Sequence, residues 1–338
     1  MDVIEMSEER YLTGKCPMCG EALQVPERLK EFSCMFCGEK LTPSQLTADR
    51  PEDRPEGDPE ALLLRVRESI IHTVADDPVI RQKINRKDFD AAFDEYERSF
   101  RGIFDNLDLA CRIQPDRRDA NLEDVVSSFL DQLEERWTEK GRRPGSIQYN
   151  MRRDDDKMTI AVFLVPMVGR LRLSISKAFG DTLQRRWVER HPKSPFYVGT
   201  YEAISEGFRR KFKFCFITTA VCREAGKPDD CPELTAFRAF RDGYLANCPD
   251  GPALIAEYYE IAPGIVTALD LCGGPEAYRE VRETWLDPCY RDILADRPAQ
   301  CKKRYTDMVR TLATRYLSSA AASSVPRFPS GSGGLTLS

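Results

Sequence analysis

Residues 89–111 read FDAAFDEYERSFRGIFDNLDLAC, and this stretch decides the fold that the sequence predicts. Its large apolar side chains recur at intervals of four and three positions, and Asp, Glu and Arg occupy most of the positions between them. These residues are Phe89, Phe93, Tyr96, Phe100, Ile103, Leu107 and Cys111. The spacing predicts an amphipathic helix with one buried face. Cys111 lies on that face, so we interpret it as a small core residue.

The segments that follow carry the same helical spacing. Residues 121–140 place their apolar side chains on one face. Residues 154–190 predict two helices, and the first begins at the three aspartates 154–156 because acidic side chains favour a helix N-terminus. A buried strand is the alternative for the apolar run 160–167, which is too short to distinguish the two structures. We predict a helical domain over residues 59–213.

Composition and charge exclude several classes of protein. The 338 residues include 50 Lys and Arg against 55 Asp and Glu, and the net charge of −5 gives no general attraction to nucleic acid or to an anionic membrane. The longest apolar run, residues 158–168, is much shorter than the roughly 20 residues that a membrane-spanning helix needs. The first 15 residues lack the apolar stretch of a secretory signal. We expect a cytoplasmic protein.

Two Cys-x-x-Cys pairs stand near the start of the chain, where residues 15–41 read KCPMCGEALQVPERLKEFSCMFCGEKL. Two such pairs offer the four thiolates that a tetrahedral zinc ion takes. The four cysteines are Cys16, Cys19, Cys34 and Cys37. A glycine follows each pair, at a point where the turn favours a positive φ. The segment resembles a zinc ribbon, with two short strands joined around Pro26. We predict one structural Zn²⁺ ion, held by these four cysteines.

The expected zinc ion stabilises the ribbon and performs no chemistry, because four cysteines close its coordination shell. We assign residues 1–41 to this ribbon and the proline-rich residues 42–58 to a linker. A redox function for one cysteine pair is the alternative, although redox motifs of this kind belong to βαβ units. Basic and acidic residues balance within residues 14–44, which favours a protein partner over nucleic acid.

Three motifs distinguish the cysteine-rich region that we place at residues 214–317. They are CFITTA at 215–220, FRAFRD at 237–242 and YYEIAP at 258–263. Together these motifs resemble the CFI-box C-terminal domain of bacterial proteins, and the resemblance brings no established activity with it. Helical spacing continues through the region, where Arg238 is placed to pair with Asp242. Residues 318–338 are rich in Ser and Gly, so we expect a disordered tail.

The C-terminal cysteines allow three interpretations. They are packed reduced thiols, ligands of a second metal ion, or a set that includes one nucleophilic or redox-active cysteine. Cys215 and Cys222 are the candidates for the third role, because hydroxyl or basic side chains adjoin them in the sequence. His191 is the remote candidate for a base, and its position at a helix C-terminus offers a structural explanation instead.

The sequence predicts a mainly α fold, with a helical body and a small β-rich N-terminal zinc ribbon. It contains no glycine-rich phosphate loop and no Ser/His/Asp pattern. The leading hypothesis is therefore a zinc-binding, non-catalytic adaptor that binds a protein partner and neither nucleic acid nor a membrane. The alternative is a cysteine-dependent enzyme that uses Cys215 or Cys222.

Overall fold

The computed structural model describes residues 11–17, 22–26, 28–36, 38–46, 57–76, 80–139, 142–209 and 215–317. Most of these residues are helical, and their strands form two small antiparallel sheets, which confirms a mainly α fold with a small N-terminal β element. Contacts divide the chain into a first unit, Met1–Pro78 with Asp90–Ser205, and a second unit, Val79–Phe89 with Glu206–Ser338. The predicted tail and most of the predicted linker lie outside the described residues.

In the part of the N-terminal region that the structure describes, four short strands form two hairpins. β1 (Tyr11–Lys15) pairs with β2 (Ala22–Pro26), and β3 (Phe32–Ser33) pairs with β4 (Lys40–Leu41). The two short strands expected around Pro26 are β2 and β3, and each pairs across a cysteine segment with a further strand. This pairing lets both hairpins contribute side chains to one buried cluster.

Helices make up the rest of the first unit and continue to residue 209. They are α1 (Pro59–Ser69), α2 (His72–Ala75), α3 (Phe89–Ile113), α4 (Arg118–Thr138), α5 (Ile147–Thr159), α6 (Val165–Leu171), α7 (Ser176–Arg190) and α8 (Tyr201–Arg209). The amphipathic helix expected over residues 89–111 is α3, in which Phe93, Phe104 and Leu107 are fully buried. Burial of this face supplies most of the helix's stability, since isolated helices are marginal in water.

The predicted helix start at residues 154–156 is wrong. The preceding helix, α5, begins at Ile147, where the Ser146 hydroxyl accepts a hydrogen bond from the Tyr149 N–H at 3.3 Å. The three aspartates instead lie within α5. Asp156 is buried there and contacts other side chains rather than capping the start of a helix. The apolar run that follows is a π turn over Ile160–Leu164 leading into α6, so the strand alternative is also wrong.

The described residues of the second unit continue with six further α-helices. They are α9 (Phe216–Glu224), α10 (Pro232–Ala239), α11 (Gly251–Ala268), α12 (Gly274–Val281), α13 (Asp287–Leu294) and α14 (Pro298–Tyr316). α10, α11 and α12 each continue into a π turn, over Phe240–Tyr244, Leu269–Gly273 and Arg282–Leu286 respectively. Within the described residues, no helix is both long and apolar enough to cross a membrane.

The glycine at position 264 allows the backbone of another segment to approach α11 closely. A Cβ atom at Gly264 would lie 2.3 Å from the Ile84 carbonyl oxygen, well inside van der Waals contact. The absence of that atom lets the short helical turn Ile80–Lys83 and its continuation pack against α11. The N–H of Arg86 then donates to the carbonyl oxygen of Glu260 at 3.3 Å.

Candidate functional site

Two of the four predicted zinc ligands lie among the described residues. Cys16 and Cys34 are 1% and 2% exposed, and they belong to one buried cluster to which both hairpins contribute. Gly38 adopts a φ of +76°, the conformation expected after a cysteine pair. Cys19 and Cys37 lie outside the described residues, within which no group of three or more potential metal ligands occurs. The meeting of one cysteine from each pair fits a thiolate-bound zinc ion.

His191 follows α7 and lies in an aromatic cluster of the first unit. The centroid of its ring is 5.2 Å from that of Trp137 and 5.1 Å from that of Trp187. Its Nε2 lies 3.3 Å from Oε1 of Glu134, without the alignment of a hydrogen bond. Burial lowers the pKa of His191, and Glu134 only partly opposes this effect, so the neutral ring is favoured. These contacts give His191 a packing role.

The sequence-predicted candidates fall into different units. His191 and the second histidine, His72, belong to the first unit, whereas Cys215 and Cys222 belong to the second. His72 is half-exposed and its Nδ1 lies 2.8 Å from Oδ1 of Asp76.

Cys215 lines a cleft in the second unit. The cleft encloses about 710 Å³ when space that is open to solvent is included, and its cavity volume alone is about 70 Å³. The start of α9, the end of α10 with its π turn, α11 and α14 provide its walls. Most of the lining is apolar and includes Phe237, Phe240, Leu254, Ile261 and Val309. The cleft is therefore suited to an apolar ligand.

Arg241 places its guanidinium beside the sulfur of Cys215. Nη1 donates to the hydroxyl of Tyr259 at 3.1 Å and lies 3.7 Å from Sγ of Cys215. Nε and Nη2 bind the two carboxylate oxygens of Asp242 at 2.6 and 2.9 Å. Because Asp242 balances the charge of Arg241, the pair adds a hydrogen-bond donor to the cleft without adding net charge.

The predicted pair between Arg238 and Asp242 is wrong. Nη2 of Arg238 instead lies 2.8 Å from Oδ1 of Asp229. A π turn begins at Phe240, between the two predicted partners, and its wider spacing changes the alignment that an α-helix gives residues four apart. The same π turn carries Arg241, so this local irregularity contributes a polar group to the cleft.

A chain of hydroxyl groups crosses the inner side of the cleft. The Tyr258 hydroxyl accepts a hydrogen bond from the Ile217 N–H at 3.0 Å and lies 3.3 Å from the Tyr305 hydroxyl. The Tyr305 hydroxyl is in turn 3.2 Å from Oγ1 of Thr218. Burial raises the pKa of both tyrosines, so both remain neutral and keep their hydrogen-bonding capacity.

The three C-terminal motifs meet at this cleft. CFITTA contributes Cys215, FRAFRD contributes Arg241, and YYEIAP contributes Tyr258. Sequence reasoning missed Tyr305, whose helix α14 forms another wall, because its spacing was typical of an ordinary packed helix. A tyrosine on the apolar face of α14 was the only signal available for its role.

The Cys215 thiol is neutral at physiological pH. It is 5% exposed, and burial raises its pKa, while the charges of Arg241 and Arg238 oppose that rise only in part. Among the described residues that line the cleft, none is a histidine. Glu257 also lines the cleft, and burial raises its pKa as well. The chemistry of the site therefore favours binding over nucleophilic activation.

Cys222 lies elsewhere in α9, in a buried cluster with Cys231 and Leu234. Ten cysteines lie within the described residues, and those ten form no disulfide. Nine of them are buried, whereas Cys248 is half-buried. Packing as small apolar groups accounts for most of these thiols.

Comparison with known proteins gives no match to a family model, to a curated protein or to a solved structure. The geometry of the Cys215 cleft therefore carries the functional conclusion.

Proposed function

We propose that this protein is a zinc-binding, non-catalytic adaptor, and that the Cys215 cleft binds an apolar segment of a protein partner. The observation that carries the proposal is the lining of the cleft, where aromatic and aliphatic walls surround a few neutral hydrogen-bonding groups. Partner segments are recognised in this way when apolar side chains fill a groove and main-chain groups meet a few fixed donors.

The charge of the cleft supports an apolar peptide over a strongly anionic ligand. Arg241 already binds Asp242 through two of its nitrogen atoms, and Glu257 adds a carboxyl group to the lining. Arg310 also lines the cleft and interacts with Glu257. The remaining polar groups are already hydrogen-bonded within the unit, as Nη1 of Arg241 is to the Tyr259 hydroxyl, so the apolar walls are the main surface that a ligand meets.

A random peptide library displayed on phage tests this proposal when it is selected against the intact chain. Leu254 is half-buried in the cleft wall, so Leu254→Lys places a charge there without opening the core. Leu294→Lys is the matched control, because Leu294 is 68% exposed in the same unit. We expect enriched peptides with aromatic or aliphatic side chains, whose affinity falls at least about tenfold with Leu254→Lys and is unchanged with Leu294→Lys.

Two results would contradict binding in the cleft. One is the enrichment of peptides that bind wild type and Leu254→Lys equally well, and the other is a selection that enriches no peptide for the folded chain. Circular dichroism of both variants confirms that each has kept its helices before the affinities are compared.

The zinc part of the proposal rests on the four N-terminal cysteines, of which Cys16 and Cys34 meet in one buried cluster. Elemental analysis of the freshly purified chain should give one zinc ion per chain. Cys16→Ser should reduce this content strongly, whereas Cys248→Ser, a half-buried thiol of the second unit, should not. A metal-free wild-type chain would overturn the zinc assignment and leave the cleft proposal standing.

The alternative function is a cysteine-dependent enzyme that uses Cys215 or Cys222. The proximity of Arg241 to the Cys215 sulfur favours this alternative, because a cation stabilises a thiolate. Burial opposes it, and the cleft lining among the described residues provides no imidazole base. The two functions differ in the reactivity that they require of Cys215 at neutral pH.

We further propose that residues 214–317 form a CFI-box domain. The support is the placement of one residue from each of the three motifs in a single cleft, which gives separated parts of the sequence a common role. A relative of this group would then be expected to keep the apolar wall and the residue equivalent to Arg241.

A further inference from the structure

Cys222 and Cys231 form a buried pair of thiols where α9 connects to α10. They are 6% and 5% exposed and pack together in one buried cluster with Leu234. Gly226, with a φ of +69°, helps to reverse the chain between them. The Lys227 N–H closes this turn by donating to the carbonyl oxygen of Cys222 at 2.9 Å. The fold thus brings together two cysteines that are nine positions apart in the sequence.

A charged pair lies against the two thiols. Nζ of Lys227 forms an ion pair with Oε1 of Glu233, and the positive charge of Lys227 also acts on Cys222. The Cys231 thiol is hydrogen-bonded to Glu233. Glu233 balances the charge of Lys227 and burial raises the pKa of Cys222, so Cys222 reacts through the small fraction of its thiol that has lost the proton.

Cys222 is reachable from solvent. It lines a second pocket of the unit, together with Lys227 and Glu233, which encloses about 310 Å³ including open space. Cys222 borders this opening and Cys231 does not, so we expect a small disulfide that approaches from this side to reach Cys222 first.

We propose that Cys222 and Cys231 are a redox modification site, which a low-molecular-weight disulfide oxidises to a reversible intramolecular disulfide. Cys222 loses its proton to water and attacks the small disulfide, which forms a mixed disulfide and releases one small thiolate. Cys231 then loses its proton and attacks the Cys222 sulfur, which releases the second thiolate. Both thiolates take up the protons, so two protein thiols and one small disulfide give one protein disulfide and two small thiols.

The same unit contains a matched control pair. Sγ of Cys289 lies 4.0 Å from the carbonyl oxygen of Cys301, and the two thiols interact with each other. Both residues are 0% exposed. Because these two thiols interact with each other but have no surface exposed to solvent, they should stay reduced under conditions that oxidise Cys222 and Cys231.

Oxidised glutathione is the probe for this proposal, applied to the intact chain at pH 7 and pH 9. Free thiols are blocked with one maleimide, disulfides are then reduced, and the released thiols are labelled with a second maleimide of different mass. Peptide mapping by mass spectrometry should find Cys222 and Cys231 released together, with Cys289 and Cys301 in the blocked fraction. Because burial raises the pKa of Cys222, the reaction should be faster at pH 9.

Two variants resolve the order of the steps. Cys231→Ser should accumulate the glutathione adduct at Cys222, since the second attack is lost, and Cys222→Ser should leave Cys231 largely unmodified. The proposal is overturned if the wild type keeps a stable glutathione adduct on Cys222. It is also overturned if Cys289 and Cys301 oxidise as fast as Cys222 and Cys231, or if all four remain reduced.

Discussion

The His191 cluster of the first unit and the Cys215 cleft of the second contain similar side chains in different surroundings. Both combine aromatic rings, an arginine or glutamate partner and a buried titratable group. In the first, the indole N–H of Trp137 donates to Oδ2 of Asp156 at 2.9 Å, and that of Trp187 donates to the Ser194 carbonyl oxygen at 2.7 Å. In the second, the tyrosine hydroxyls and the Cys215 thiol border the cleft, which encloses about 710 Å³ including space that is open to solvent.

This difference in surroundings distinguishes His191, a buried group with a packing role, from Cys215, a buried group beside a binding cleft. The rings of Trp137 and Trp187 are fully buried and contact each other as well as His191, so the lowered pKa of His191 reflects close packing of the core. Cys215 also has a shifted pKa, but its neighbours leave room for a ligand. A perturbed pKa therefore indicates a candidate site only when open space lies beside the group.

The comparison predicts the largest loss of stability for a substitution of Asp156, the buried carboxylate of the first cluster. Its oxygens lie 3.4 Å from Nε of Arg136 and 3.9 Å from Nε of Arg152, so Asp156→Ala leaves buried positive charge without this partner. We expect the free energy of unfolding to fall by about 3 to 5 kcal/mol in urea titrations followed by circular dichroism.

Asp181→Ala is the control for this measurement. Asp181 forms an exposed ion pair with Lys177 on α7, so its loss should cost less than about 1 kcal/mol. Equal losses of unfolding free energy for Asp156→Ala and Asp181→Ala would contradict this expectation. The buried cluster would then stabilise the fold no more than an exposed ion pair does.

A smaller effect is expected at the cleft, where Tyr258→Phe removes one hydroxyl. The Ile217 N–H would lose its acceptor, and the Tyr305 hydroxyl would lose a neighbour. The free energy of unfolding should fall by about 1 to 2 kcal/mol, less than for Asp156→Ala, because water can enter the cleft and replace part of the lost bonding. Tyr197→Phe, at a 39% exposed side chain, should change it by less than about 0.5 kcal/mol.

The helices were predictable from the sequence because a single repeating pattern determines them, as the burial of Phe93 and Leu107 on α3 illustrates. The start of α5 was not, because acidic residues suit both a helix N-terminus and a buried ion pair, and only packing decides between them. The cleft was predictable in part, since its motifs were visible while their meeting at Cys215 was not. Tyr305 enters the site through the packing of α14, which no local pattern encodes.

The smallest expected effect is a dependence of the unfolding free energy on pH, which arises from His191 in the first cluster. Because burial lowers the pKa of His191 in the folded chain, the unfolded chain binds its proton more tightly. Stability from the neutral ring is therefore complete above the ordinary histidine pKa of about 6.5, and it is lost as the pH falls towards 5. The slope should not exceed about 1.4 kcal/mol per pH unit.

His191→Gln isolates this contribution. The difference in unfolding free energy between wild type and variant should shrink as the pH is lowered from 7 to 5, measured by urea titration at each pH. A difference that grows on acidification would mean that the charged ring is favoured, and His191 would no longer be a neutral packing group.

The rate of Cys215 alkylation by iodoacetamide, measured by peptide mass spectrometry between pH 6 and pH 10, tests the central claim most directly. Half-buried Cys248 of the same unit provides the reference rate. We expect Cys215 to react more slowly than Cys248 at pH 7. The alkylation rate of Cys215 should continue to rise above pH 9, because the thiol is buried and neutral. A Cys215 rate that exceeds that of Cys248 at pH 7 and no longer rises above neutrality would contradict it, because such a thiolate is a catalytic nucleophile.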